Sequence, residues 1–218
     1  MVEIKLNIDG MKVTGRDGMT ILEAAQSVGI EIPTLCHSPD VVPTGTCRVC
    51  VVELEGARTL VGACHTPIAD GMVIKTNSPN ALMARKATIE LLMAGHTGDC
   101  VTDEHTGACA LRKLADQLEC GVPRFQMRRP RWYPIEESNP YVRRDMSKCI
   151  LCRKCIGACT EIAKKNILSL AYRGFASKVV VGFDEPLTTD SCRDCGICID
   201  FCPTGALSKP TDQRSAVK

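Results

Sequence analysis

Aromatic side chains are nearly missing from this sequence: four Phe, three Tyr and one Trp make up 4 % of its 218 residues. Large rings supply much of the buried area in ordinary cores, so the scarcity implies another source of cohesion. Long apolar runs are also lacking; none approaches the roughly 20 residues that a helix needs to cross a bilayer, and no apolar stretch of signal-peptide type opens the chain. Charge of either sign is not in excess. The 27 basic and 25 acidic residues leave a formal net charge of +2 and are spread along the chain, which excludes the basic stripe of a nucleic-acid binder. There is no G-x-G-x-x-G, no Walker motif and no nucleophile triad, so no catalytic residue is expected, nor a protein site for a nicotinamide, flavin or nucleotide.

What is present in quantity is cysteine, 15 in all. The odd count, the regular short spacings and the missing signal stretch argue against a secreted disulfide framework and for a reducing cytoplasm. With 44 % hydrophobic residues the chain has enough apolar side chains for a core,.

Four stretches differ in pattern. Residues 1–78 read as a small mixed domain. Val2 to Leu6 and Met11 to Val13 alternate around Asp9-Gly10, a hairpin signal. Thr20 with Glu23 three residues later has the form of a capping box ahead of Ile21, Leu22, Ala24, Ala25 and Val28, and Gly29 is placed to stop that helix. A second hairpin is expected around Glu55-Gly56, and a last strand at Val73 to Thr76. Residues 79–121 read as two helices, the first with Leu82, Ile89, Leu92 and Met93 on its apolar face, separated by the polar stretch His96 to Gly107. Residues 122–145 carry four prolines and six arginines with little periodicity and read as an extended connector, either a solvated basic strap or a docking strip. Residues 146–218 contain an internal repeat, one cysteine spacing occurring twice 43 residues apart.

That repeat is the most specific signal. Cys149-x2-Cys152-x2-Cys155-x3-Cys159 and Cys192-x2-Cys195-x2-Cys198-x3-Cys202-Pro203 both have the spacing of the bacterial ferredoxin run for [4Fe-4S] clusters. Three close thiolates wrap one face of a cubane, while the fourth points to the other cluster. Crossed ligation is expected: Cys149, Cys152 and Cys155 with Cys202, and Cys192, Cys195 and Cys198 with Cys159. A second group is Cys36-x10-Cys47-x2-Cys50-x13-Cys64, similar to plant-type [2Fe-2S] ferredoxins but with a longer first gap. Zinc is the rival occupant of both. A third group, His96-x3-Cys100-x2-Asp103-x5-Cys109, offers one imidazole, two thiolates and a carboxylate; a histidine in place of a thiolate makes a cluster less negative and raises its potential. His37, His65 and His105 lack such spacing and read as surface or structural residues. Cys120 reads as a structural thiol.

Three stretches carry a family likeness: Gly45-Thr46-Cys47-Arg48-Val49-Cys50, Lys148-Cys149-Ile150-Leu151-Cys152-Arg153-Lys154-Cys155 and Phe201-Cys202-Pro203-Thr204-Gly205-Ala206-Leu207. With the order of the cysteine groups, they make nearly the whole chain resemble the N-terminal iron-sulfur region of the large peripheral subunit of respiratory complex I. The chain is also similar to the N-terminal part of iron-only hydrogenases and, more closely, to the small diaphorase subunit of NAD-linked hydrogenases and electron-bifurcating complexes. The resemblance implies an α+β chain: a β-grasp [2Fe-2S] ferredoxin domain, a small helical module whose [4Fe-4S] cluster is held by one histidine and three cysteines, and a two-cluster bacterial ferredoxin-like domain. It also implies a multi-cluster electron-transfer subunit. Its expected partners are a flavin- and NAD(P)-binding iron-sulfur subunit and a second redox subunit of hydrogenase, formate dehydrogenase or ferredoxin-linked type. A free soluble polyferredoxin and a zinc-stabilised interaction protein are the rival readings.

The sequence departs from the family at two places. Asp103 stands where the family has a cysteine, leaving open an oxygen ligand there, completion of the site by water or Cys120, or a missing or iron-depleted cluster. The family also continues into a large further domain beyond the position of Leu207, whereas this sequence ends at Lys218; a chain without the hydrogen-activating domain is expected.

Overall fold

The computed structural model describes residues 3–96, 109–125, 133–187, 192–193 and 195–210. Strand β1 (Glu3–Ile8) pairs antiparallel with β2 (Met11–Arg16) in continuous register from Glu3 opposite Arg16 to Ile8 opposite Met11. The turn follows from its two residues. Asp9 and Gly10 both adopt positive φ, 52° and 86°, as a two-residue turn matched to the strands' twist requires,. Alternation then turns Ile4, Leu6, Ile8 and Val13 inward,.

Helix α1 (Ile21–Ser27) crosses this sheet with Ile21, Leu22, Ala24 and Ala25 buried. Its start is the expected capping box: the Glu23 amide donates to Thr20 Oγ1 at 3.2 Å, and the Thr20 amide donates to Glu23 Oε2 at 2.7 Å. The Thr20→Ala variant, which leaves one of those amides without a partner, is expected to lose about 1 kcal/mol of stability. Denaturant unfolding of the loaded protein checks this.

Strands β3 (Val51–Leu54), β4 (Val61–Gly62) and β5 (Val73–Lys75) complete a five-stranded sheet of order β2-β1-β5-β3-β4. β5 lies parallel to β1 and antiparallel to β3. The result is a β-grasp: a mixed sheet closed by a crossing helix, with an aliphatic core that also receives Cys50 and Cys64.

Helix α2 (Pro79–Ala94) starts on Ser78, whose Oγ accepts from the Ala81 amide, with Pro79 in the first turn where no amide is needed,. Its buried face is Ala81, Arg85, Ile89 and Glu90, whereas Leu82 is exposed. The reading that puts Leu82 on the core side is therefore corrected: the side that packs on β3 carries an arginine. Helix α3 (Ala110–Gln117) packs Leu111 and Ala115 against α2.

In the last region the elements are short. Strand β6 (Arg143–Arg144) pairs with β9 (Leu207–Ser208), β7 (Leu168–Ala171) with β8 (Lys178–Val181), and helices α4 (Lys154–Gly157) and α5 (Ile197–Asp200) lie within the cysteine runs and hold their third cysteines, Cys155 and Cys198. The connector ends differently from a solvated strap or a docking strip. Arg144 is 2 % exposed, pairs with Glu136 at 2.9 Å and donates to the Val179 carbonyl at 3.1 Å. Its guanidinium thereby ties the connector to β8. Arg128, Arg129 and Arg131 lie outside the described residues.

Candidate metal centres

The N-terminal group is built by one loop and one strand end. Cys36 and Cys47 lie on the loop before β3, Cys50 at its entrance, and Cys64 just after β4; all four are buried. Gly45 and Arg48 both have positive φ, 63° and 55°, which curls the loop around its sulfurs. The Cys47 amide thus comes 3.5 Å from Cys36 Sγ. His65 braces the curl, which makes it the structural residue that its spacing suggests. Its Nδ1 lies 2.9 Å from the Gly62 carbonyl and its Nε2 3.2 Å from Arg48 Nη1, and the ring fills the space beside Gly45 and Gly62, where an added Cβ would come within 2.6 Å of it.

The sulfurs themselves are in mutual contact. Hydrogen bonds from Cys47 and Cys64 favour the Cys36 thiolate and push its pKa far down. A bond from Cys64 pulls Cys50 down to about 6. Cys47 and Cys64, the donors of these bonds, are pushed up. Without a cation, four buried thiols packed this closely cannot all ionise, and protons stay among them. A positively charged iron group replaces those protons, so the donor set fits one.

The two C-terminal sets occupy two pockets. One is lined by Cys149, Cys152, Cys155 and Cys202, the other by Cys159, Cys192, Cys195 and Cys198. In each, the fourth cysteine comes from the opposite repeat. Leu151 and Arg153 at φ 56° and 63°, and Gly196 at 57°, turn the runs tightly. Amides approach the sulfurs, Leu151 N to Cys149 Sγ at 3.4 Å and, after Lys164 and Asn166 at φ 55° and 54°, Ile167 N to Cys159 Sγ at 3.3 Å. Burial pushes Cys152 and Cys198 up to about 12 and raises Cys155 well above its ordinary value. These are thiols in dry surroundings that ionise only against a metal, which again fits the implied groups.

Of the third group, His96 and Cys109 are described, and both are buried. His96 Nε2 lies 3.7 Å from Cys109 Sγ, and His96 Nδ1 lies 2.9 Å from the Lys148 carbonyl oxygen. A carbonyl only accepts, so Nδ1 carries the proton and the Nε2 lone pair faces the thiol. This is the arrangement of a ligating histidine oriented by an outer partner. Cys100, Asp103 and His105 lie outside the described residues. Cys120 does not reach this site. Its Sγ lies 4.0 Å from the Lys86 carbonyl, eight residues before the end of α2 and so roughly 12 Å along the helix from the end that carries His96.

The groups are packed together. Cys36, Cys47, Cys109 and Cys152 share one apolar core with Leu35, Val49, Ile89 and Leu111. Thr44 Oγ1 donates to the Cys152 carbonyl at 3.2 Å, Glu161 Oε2 accepts from the Val42 amide at 2.8 Å, and the Ala110 amide donates to the Pro203 carbonyl at 2.7 Å. The cysteine spacings carry no signal for Thr44 or for the Lys148 carbonyl.

Two known domains match this architecture. Residues 2–79 match the 2Fe-2S iron-sulfur cluster binding domain, and residues 139–208 the ferredoxin-like domain of NADH-quinone oxidoreductase subunit 3. The chain carries a match to each of these domains, the first in its N-terminal part and the second in its C-terminal part. Among the relatives of this iron-sulfur chain, the NADP-reducing hydrogenase subunit HndD of Solidesulfovibrio fructosivorans is 38 % identical over 95 % of this chain and 36 % of its own length. The alpha subunit of an NADPH-Fe(3+) oxidoreductase of Geobacter sulfurreducens is 37 % identical over 95 % of this chain and 24 % of its own. The chain thus spans between about a quarter and just over a third of these curated relatives. A chain in the crystal structure of an NAD+-reducing [NiFe]-hydrogenase in the H2-reduced state superposes with a TM-score of 0.79 at 29 % identity, covering 94 % of this chain and 86 % of that one. Among the described residues no helix is long and apolar enough to cross a membrane.

Proposed function

We propose that this iron-sulfur chain is the electron-relay subunit of a cytoplasmic NAD(P)-linked oxidoreductase. It would connect a flavin- and NAD(P)-binding subunit to a second redox subunit of hydrogenase, formate dehydrogenase or ferredoxin-linked type. The observation that carries this reading is the single apolar core shared by cysteines of three ligand groups. Such packing holds the groups at fixed short separations and keeps water from between them. The proposed ligand sets are Cys36, Cys47, Cys50 and Cys64 for a [2Fe-2S] group; Cys149, Cys152, Cys155 and Cys202 for one [4Fe-4S] group; Cys192, Cys195, Cys198 and Cys159 for another; and His96, Cys100, Asp103 and Cys109 for a third. When bound, these groups supply one-electron chemistry. The chain's residues do the rest: thiolates and one imidazole bind, the amides of Cys47, Leu151 and Ile167 point at sulfur and tune it, and aliphatic neighbours exclude solvent.

A surface feature favours a bound subunit over a diffusing polyferredoxin. In a chain so poor in aromatics, Phe183 is 98 % exposed and Phe175 83 %, with Tyr172 exposed beside them in sequence, all around the β7-β8 hairpin. Rings left in water in this number mark surfaces that a partner covers.

Iron and acid-labile sulfide per chain, measured on anaerobically purified protein with its reduced electron paramagnetic resonance spectrum, test the reading. About 14 irons are expected for one [2Fe-2S] and three [4Fe-4S] groups. About 10 would remove the His96 site from the relay, and zinc in place of iron would overturn the proposal.

A further inference from the structure

Arg85 is 2 % exposed at the centre of α2's buried face. Its Nε and Nη2 donate to the Val51 carbonyl at 3.1 and 2.8 Å, Nη2 to the Thr76 carbonyl at 2.7 Å, and Nη1 to Asn77 Oδ1 at 3.3 Å. Every one of these acceptors is neutral. Among the described residues no carboxylate forms an ion pair with it, and the nearest one electrically, Asp9, has its two oxygens committed to the Thr76 amide and hydroxyl. A guanidinium does not discharge by losing its proton. A buried cation satisfied in hydrogen bonds but not in charge is costly unless a negative group lies close.

The group at hand is Cys50, whose backbone immediately precedes the Val51 carbonyl that Arg85 grips with two donors. We infer that Arg85 is the buried counter-ion of the iron-sulfur group held by Cys36, Cys47, Cys50 and Cys64, and that it raises that group's reduction potential. This rests on the proposed [2Fe-2S] assignment and deepens it. An electron arriving at four thiolates and two irons adds one negative charge, and a fixed cation close by favours the reduced state over the oxidised one. Because the cation stands on α2, the helix leading to His96, the potential of the N-terminal group is set from the neighbouring module.

The test is a redox titration of the full chain followed through the [2Fe-2S] electron paramagnetic resonance signal, with dithionite supplying one electron per group through dye mediators. Three variants are compared. Arg85→Gln keeps a donor without charge and Arg85→Lys keeps charge without the fork. Asp9→Asn removes the opposing charge at a left-handed position that asparagine accepts readily. At the wild-type midpoint, Arg85→Gln is expected to lower the reduced-to-oxidised ratio about tenfold, equivalent to about 59 mV. Arg85→Lys is expected to change it by less than about threefold, and Asp9→Asn to raise it. A Gln variant at the wild-type midpoint, or a Lys variant shifted as far as the Gln one, overturns the inference, since a purely structural arginine moves stability and not potential. Should Arg85→Gln fail to hold iron, Arg85→Lys decides: a midpoint that falls relative to wild type when alkaline pH discharges the lysine supports the counter-ion, and one that tracks the wild type across pH overturns it. A wild-type chain without a [2Fe-2S] signal overturns the assignment and the inference together, whereas a signal indifferent to all three variants overturns the inference alone.

Discussion

Replacing Cys202 with alanine is expected to abolish the iron site in the first repeat, not the second. The geometry is specific on this point. Cys202 lies 53 positions after Cys149, yet it lines the pocket of Cys149, Cys152 and Cys155, on the side where Thr204, Ala206 and Leu207 close the cavity. Cys159 lines the other pocket, with Cys192, Cys195 and Cys198. The short helix that holds each third cysteine carries the chain away from the three thiols it has just supplied, so the fourth is delivered to the other pocket. Cys202→Ala should therefore lose the same resonance as Cys149→Ala and about four irons, while Cys159→Ala should match Cys192→Ala. Uncrossed ligation would show the reverse: Cys202→Ala matching Cys192→Ala. Iron analysis with paramagnetic resonance on the four variants separates the two patterns.

Anaerobic chelation of iron is expected to unfold residues 146–207 while leaving most of the β-grasp domain protected. In the C-terminal region the α-helices are four residues long and the strands two or four, far too short to persist alone. Its apolar core is partly made of the proposed ligands, with Cys155 and Cys159 inside and Cys149, Cys192, Cys198 and Cys202 packed on it. Remove the metal and these sulfurs become buried polar groups with no positive partner. For structural zinc in small domains, binding of about 10 kcal/mol or more is folding energy; a similar coupling here would leave nothing to hold the region. The N-terminal domain differs, having six-residue strands in full register, a capped helix and a core that is mostly aliphatic. Hydrogen exchange read by mass spectrometry should show protection collapsing from 146 to 207 and surviving in β1, β2 and α1. Retained protection in both regions would refute the coupling.

Much of this is legible in the residues because it is local. Asp9-Gly10 specifies a turn, Thr20 and Glu23 specify a helix start, and the doubled cysteine run specifies its own chemistry through spacing. Helix α2 is less legible, since its face against β3 is set by contact with distant backbone. Arg85 is buried only because it reaches carbonyls 34 and 9 positions away, which no helical period announces. Arg144 is similar: amid a proline- and arginine-rich stretch it reads as surface, and only the β8 carbonyl and Glu136 explain why it is inside. The partner of His96 is hidden for the same reason, the acceptor being a main-chain oxygen 52 residues further on.

That last bond has a consequence for biogenesis. The Nε2 lone pair of His96 is presented to Cys109 because the Lys148 peptide fixes the proton on the opposite nitrogen, and Lys148 immediately precedes the first cysteine of the C-terminal repeat. A nascent chain that has reached Cys109 but not yet Lys148 holds an imidazole of undefined tautomer and orientation. As a proposed ligand, His96 would therefore become competent only after a later segment is synthesised and docked, so translation order and metal acquisition would run in opposite directions at this site.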